Sequence, residues 1–110
     1  MERDDRRRFP RLKAPVFCRP AGLRFHDAGQ TVDIGLGGAR VFADEQVPVG
    51  THFELELLLP DASTIVCKAV VAWIDLLPAG SPASFDLGLR FTDVSEADQR
   101  RLASVLGMEA

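Results

Sequence analysis

Two short stretches of this chain carry residue types that could hold an anion. The first is Arg6-Arg7-Arg8-Phe9-Pro10-Arg11. A guanidinium is planar, permanently charged and forked, which suits phosphate oxygens and the O6/N7 edge of a guanine. Pro10 cannot continue a helix and stiffens the approach to Arg11. Arg7 and Arg11, four apart on a short extended or kinked arm, can therefore embrace one small ligand from two directions. The second stretch is Asp33-Ile34-Gly35-Leu36-Gly37-Gly38. Three glycines in four positions permit positive φ and let another group approach the backbone closely, and such a loop can present N–H groups to an anion. The same glycines equally suit a tight hairpin or bulge, so the turn by itself leaves both readings open. It is not a dinucleotide fingerprint of the helix-opening kind, because Ala39-Arg40-Val41-Phe42 looks like strand rather than helix.

The charge distribution sharpens the picture. Residues 1–13 hold six basic groups against three acids, a net of +3, while the remainder holds seven against thirteen, a net of −6. A basic N-terminal arm on an acidic body reads as a local anion site and not a general nucleic-acid surface, although composition alone equally allows a disordered, merely solubilising tail. The acidic body would repel the backbone of long DNA or RNA. It also argues against a plain oligonucleotide-binding barrel, which would want a basic face with exposed aromatics. The charged start, Met1-Glu2-Arg3-Asp4-Asp5, has no apolar stretch behind it, and the longest apolar runs, Ala69–Ile74 and Leu57–Pro60, are far short of a bilayer span. A cytoplasmic protein with no membrane insertion is expected.

The elements that must position these stretches are mostly strands. In Phe53-Glu54-Leu55-Glu56-Leu57 the apolar residues face one way and the acids the other. Phe85-Asp86-Leu87-Gly88-Leu89-Arg90-Phe91 alternates more cleanly, with four apolar positions on one face. Ile65–Ile74 puts Ile65, Cys67, Ala69, Val71 and Trp73 on one face; it is long for a strand and is expected to bend or run on into an edge. Shorter candidates are Val16–Arg19, Leu23–Phe25, Gln30–Asp33 and Ala39–Phe42, divided by turn signals such as Pro20-Ala21-Gly22, Pro48-Val49-Gly50 and Pro60-Asp61-Ala62-Ser63. Short strands without helices between them predict an antiparallel barrel or sandwich. The end of the chain differs: Ser95 can cap a helix over about 95–106, with Glu96 and Asp98 in its first turn, a stripe of Leu102, Val105 and Leu106, and Gly107 as the stop. The expected organisation is a basic arm, 1–13, followed by one domain, 14–110. At 110 residues, 46% hydrophobic and 26% charged, the chain has room for one core and is neither disordered nor membrane-like.

Catalytic chemistry finds little support. His26 and His52 are the only histidines, and neither lies in a nucleophile or metal motif. No serine sits in a Gly-x-Ser-x-Gly elbow, and no second carboxylate is placed by sequence to partner Asp33. Cys18 and Cys67 lack the close pairing of a metal site and read as reduced, buried thiols. Trp73 and most of the seven phenylalanines fall on inward strand faces and read as core, although Trp73 could instead border a ligand.

Taken together, Arg7-x-x-x-Arg11 followed by Asp33-x-Gly35-x-x-Gly38 resembles the paired signature of PilZ domains: arginine, three residues, arginine, then Asp or Asn, any, Ser, any, any, Gly. Leu87-Gly88-Leu89-Arg90-Phe91 before a C-terminal helix is similar too, so the resemblance covers essentially the whole chain. It implies a mainly β fold, a six-stranded antiparallel barrel with a C-terminal α-helix. It also implies a non-catalytic receptor for the second messenger cyclic di-GMP that signals to a downstream protein partner, with no cofactor and no metal. Carried over by position, Arg7 and Arg11 would grip phosphates and a guanine edge, with Arg6 and Arg8 flanking. Asp33 would accept from guanine N–H groups, and Gly38 would let the turn come close. Gly35 stands where the family has serine; the missing hydroxyl removes one hydrogen bond, about 0.5–1.5 kcal/mol, a weakening of about tenfold or less. The other reading open to this resemblance is a protein-interaction adaptor with weak or no nucleotide binding. Like charges on Arg6, Arg7 and Arg8 repel, so a doubly anionic ligand is expected to reorder the arm over the glycine turn.

Overall fold

The structure, a computed structural model, describes residues 16–107. The arm, with Arg6, Arg7, Arg8 and Arg11, lies outside the described residues. Six strands form one antiparallel sheet: β1 Phe17–Pro20, β2 Asp33–Ile34, β3 Gly38–Ala43, β4 His52–Leu58, β5 Thr64–Leu76 and β6 Phe85–Asp93, in the order β1-β4-β5-β6-β3-β2. The sheet curls until its two edges meet: Phe17 bridges Gln30, just ahead of β2, and the Thr31 N–H donates to Val16 O at 3.0 Å. Closure leaves little unpaired edge, which a small sheet needs.

What lets the edges meet is a single 3₁₀ turn, His26–Gly29, in which Asp27, Ala28 and Gly29 all have positive φ (57°, 56° and 81°). Gly29 is required there twice over, because an added Cβ would also run into Cys18 O. No strand forms over Leu23–Phe25, the segment that leads into the turn. Phe25 is buried all the same, packed edge-to-face on Phe53 with ring centroids 6.2 Å apart. The strand expected at Gln30–Asp33 begins only at Asp33, since Gln30 is spent on the bridge to β1.

The inner faces of the strands and one stripe of the helix make the core. Leu55 and Leu57 from β4, Ile65, Cys67, Ala69 and Val71 from β5, and Leu87 and Leu89 from β6 alternate inward as the period of two predicts. Helix α1, Glu96–Leu106, buries Leu102 and Leu106 against them, with Val105 alongside. Its start and stop are those read from sequence: the Asp98 N–H donates to Ser95 Oγ at 3.1 Å, and Gly107 takes the left-handed conformation at φ 73°. Cys18 and Cys67 are free, buried thiols. Burial pushes Cys18 up to about 12 and Cys67 to about 11, so both are neutral and poorly nucleophilic near pH 7. No helix among the described residues is long and apolar enough to cross a membrane.

One inward placement is corrected. β5 is indeed long and irregular: its register against β6 shifts between Val71 and Trp73, so that Val71 pairs with Leu89 but Trp73 with Gly88. The extra residue, Ala72, reverses the alternation beyond it. Trp73 therefore stands on the outer face, 39% exposed, rather than in the core.

Candidate ligand-binding site

The bulge brings an unusual set of residues into line. Reading across the outer face, Asp33 of β2 is paired with Arg40 of β3, Arg40 with Gly88 of β6, and Gly88 with Trp73 of β5. A carboxylate, a guanidinium, a bare glycine and an indole thus stand in one row across four strands. Gly88 is the saddle of that row, since an added Cβ would run into the Trp73 indole ring and its Nε1. The indole lies down on the sheet there and covers the glycine, which is buried although it faces outward.

Beside this row is an open cavity of about 210 Å³, lined among others by Asp33, Gly35, Gly38, Arg40, Trp73 and Gly88. Three of the residues singled out from sequence, Asp33, Gly35 and Gly38, therefore meet at one place. Asp33 is exposed; Gly35 and Gly38 are half-buried. The turn that joins β2 to β3 is closed by the Gly35 N–H donating to Gly38 O at 2.9 Å, and it is tied to β6 by the Phe91 N–H donating to Gly37 O at 2.9 Å. The conformational freedom expected of its glycines is not used, because none of the three has positive φ. What the turn does need is a close approach: a Cβ at Gly38 would run into Leu89 O. At Gly35 and Gly37 a Cβ would meet nothing within 4 Å, so those positions would accept a side chain.

Sequence reasoning passed over Arg40 and Asp86. The Arg40 Nε donates to Asp86 Oδ1 at 3.1 Å. That hydrogen bond, with the charges of Asp86 and Asp33 adding to it, holds the guanidinium above its ordinary value against the effect of burial. Asp86 lies on the polar face of β6 yet is 8% exposed. The alternation in Phe85–Phe91 marked it as a wet position; what it could not show is that an arginine from β3 lies over it. A signal was present in the spacing, since Arg40 opposite Gly88 puts Asp86 at the diagonal position, but only once the β3–β6 register is known. The absence by sequence of a second carboxylate near Asp33 also changes: the charges of both Asp33 and Asp86 act on Arg40, so the three form one guanidinium flanked by two carboxylates rather than an acid–base pair.

The chemistry on offer is recognition. The row supplies an acceptor, a forked donor and a flat aromatic surface, beside a turn whose backbone can be approached. Among the described residues no three His, Cys, Asp or Glu side chains gather as a metal site.

The comparisons agree with this architecture. The solved inhibitor of motility of Bacillus subtilis, MotI/DgrA, superposes with a TM-score of 0.70 at 23% identity, covering 92% of this chain and 49% of that one. MrkH of K. pneumonia in its apo state gives a TM-score of 0.67 at 20% identity, covering 96% of this chain and 50% of that one. The PilZ domain of YcgR from Escherichia coli, solved with c-di-GMP, gives 0.62 at 21% identity, covering 90% and 84%. The chain thus spans about half the length of the first two. None of the curated proteins matches the chain. The PilZ domain profile matches residues 5–107, from within the arginine arm to the stop of the C-terminal helix; with the curled six-stranded sheet and its closing helix, the chain belongs to the PilZ domain family.

Proposed function

We propose that this chain is a cytoplasmic, non-catalytic receptor module for cyclic di-GMP, whose arginine arm closes over the bound ligand and so changes the surface offered to a downstream protein. The observation that carries the reading is the meeting of Asp33, Gly35 and Gly38 at one cavity on the outer face, beside Arg40 and Trp73. At about 210 Å³ the cavity is smaller than the roughly 300–1,000 Å³ of complete ligand pockets. The described residues therefore supply one wall of the site, and the arm, net +3, supplies the other and the charge that two phosphates need. The family profile includes residues 5–13 of that arm, and the YcgR domain with the same fold was solved with c-di-GMP.

In this reading Arg7 and Arg11 hold phosphates and a guanine edge, Arg6 and Arg8 assist, and Asp33 accepts from guanine N–H groups. Gly38 keeps the turn close to β6. Nothing in the wall crowds Gly35, so the missing serine hydroxyl costs one hydrogen bond and leaves the shape of the turn intact. Calorimetric titration of the protein with cyclic di-GMP, beside an Arg7→Ala, Arg11→Ala double variant, is the test. Micromolar or tighter binding, lost in the variant, is the expected result. A folded parent that gives no heat well above micromolar ligand would replace this reading with that of a protein-interaction adaptor.

A further inference from the structure

Resting on the cyclic di-GMP reading, we propose that Arg40 reads the ligand's guanine next to Asp33, and that buried Asp86 is the positioning residue that aims it. Arg40 lines the cavity, and its side chain is 41% exposed against 12% for Asp86. Among the described residues its one side-chain hydrogen bond is from Nε to Asp86 Oδ1, which leaves the Nη1 and Nη2 donors uncommitted there. A bond through Nε fixes the plane of the guanidinium while leaving the outer fork to a partner.

Two features need this explanation. An arginine held only for stability would contribute little from so open a position. A carboxylate kept nearly buried on an outer strand face is costly unless paired, and an apolar residue would usually serve stability as well or better. Orientation is what the pair provides. Arg40 and Asp33 are direct neighbours across the β2–β3 ladder, where facing Cβ atoms stand roughly 4.5–5.5 Å apart. Together they present a carboxylate acceptor beside a forked donor. Guanine presents the complement on adjoining edges: N1–H and N2–H₂ as donors, then O6 and N7 as acceptors. Adenine carries an amino donor where guanine has O6, so it would set donor against donor at Arg40. The Asp33–Arg40 pair therefore selects guanine, where Asp33 alone would tolerate any base with a free N–H.

The test is calorimetric titration with cyclic di-GMP of the parent, Arg40→Ala, Arg40→Lys, Asp86→Asn and the Arg40→Ala, Asp86→Asn double variant, with a thermal melt of each. Cyclic di-AMP serves as competitor. Loss of one bidentate base contact weakens binding about tenfold or more, the effect expected of Arg40→Ala. Arg40→Lys keeps the charge without the fork and does not restore affinity. Asp86→Asn weakens binding severalfold in the parent and adds nothing once Arg40 is alanine, a silence that a merely structural role would not produce. The preference for cyclic di-GMP over cyclic di-AMP narrows in Arg40→Ala. Unchanged affinity in a folded Arg40→Ala, full rescue by lysine, or an equal cost of Asp86→Asn in both backgrounds would each overturn the inference. Any of these, with binding still lost on removing Arg7 and Arg11, would leave the receptor reading standing. A parent that does not bind cyclic di-GMP would overturn both.

Discussion

On the inner face of β3 and β6, Ala39, Val41, Leu87 and Leu89 are all apolar and at most 8% exposed. On the outer face of the same two strands stand Gly38, Arg40, Asp86 and Gly88, one residue out of step. The inner set follows the alternation of a half-buried strand and needs only volume and hydrophobicity. The outer set breaks every rule for a solvated face: an acid is buried, a glycine is covered by an indole, and an arginine is held in one orientation. Neither the acid nor the glycine is needed to make a strand, and glycine in a strand interior weakens it. The difference points to the outer face as the candidate site. The face that departs from what folding requires is the face shaped for something else.

That separation can be broken by substitution. The largest effect is expected on the inner face: Leu87→Ala, at a fully buried position, should cost about 2–5 kcal/mol of stability by denaturant titration. The fraction still folded should bind ligand as the parent does; lowered affinity there would mean that the two faces are not independent. Gly88→Ala comes next, because its new Cβ has to displace the Trp73 indole. Overpacking of this kind costs about 1–3 kcal/mol. Trp73 is the only tryptophan, so its fluorescence should shift and ligand affinity should fall together. A shift in fluorescence at unchanged affinity would remove the indole from the site. Gly35→Ser is the smallest change and the sharpest. With nothing within 4 Å of the added Cβ, the melting curve should stay put, while one regained hydrogen bond, about 0.5–1.5 kcal/mol, tightens binding up to tenfold. A stability loss without tighter binding would show that the turn is needed as a hairpin only.

Some of this molecule could be read without folding it. The helix was legible at both ends, because the Ser95 cap, the acids of the first turn and the Gly107 stop act within a few residues of themselves. The inward residues of β4 and β6 were legible because a period of two within one segment already names a face. The motif positions Asp33, Gly35 and Gly38 were legible as a pattern, and their meeting at one cavity follows from the short turn that joins them. Tertiary structure alone decided the rest. The side on which Trp73 emerges depends on one extra residue in β5 relative to β6, and a bulge is a property of two strands rather than of either sequence. The covering of Asp86 by Arg40 depends on register between segments more than forty residues apart. The turn at His26–Gly29 took its positive φ angles, two of them at non-glycine residues, because closing the sheet outweighed local preference. Local chemistry is written along the chain; the row from Asp33 to Trp73 runs across it, and only pairing the strands sets its order.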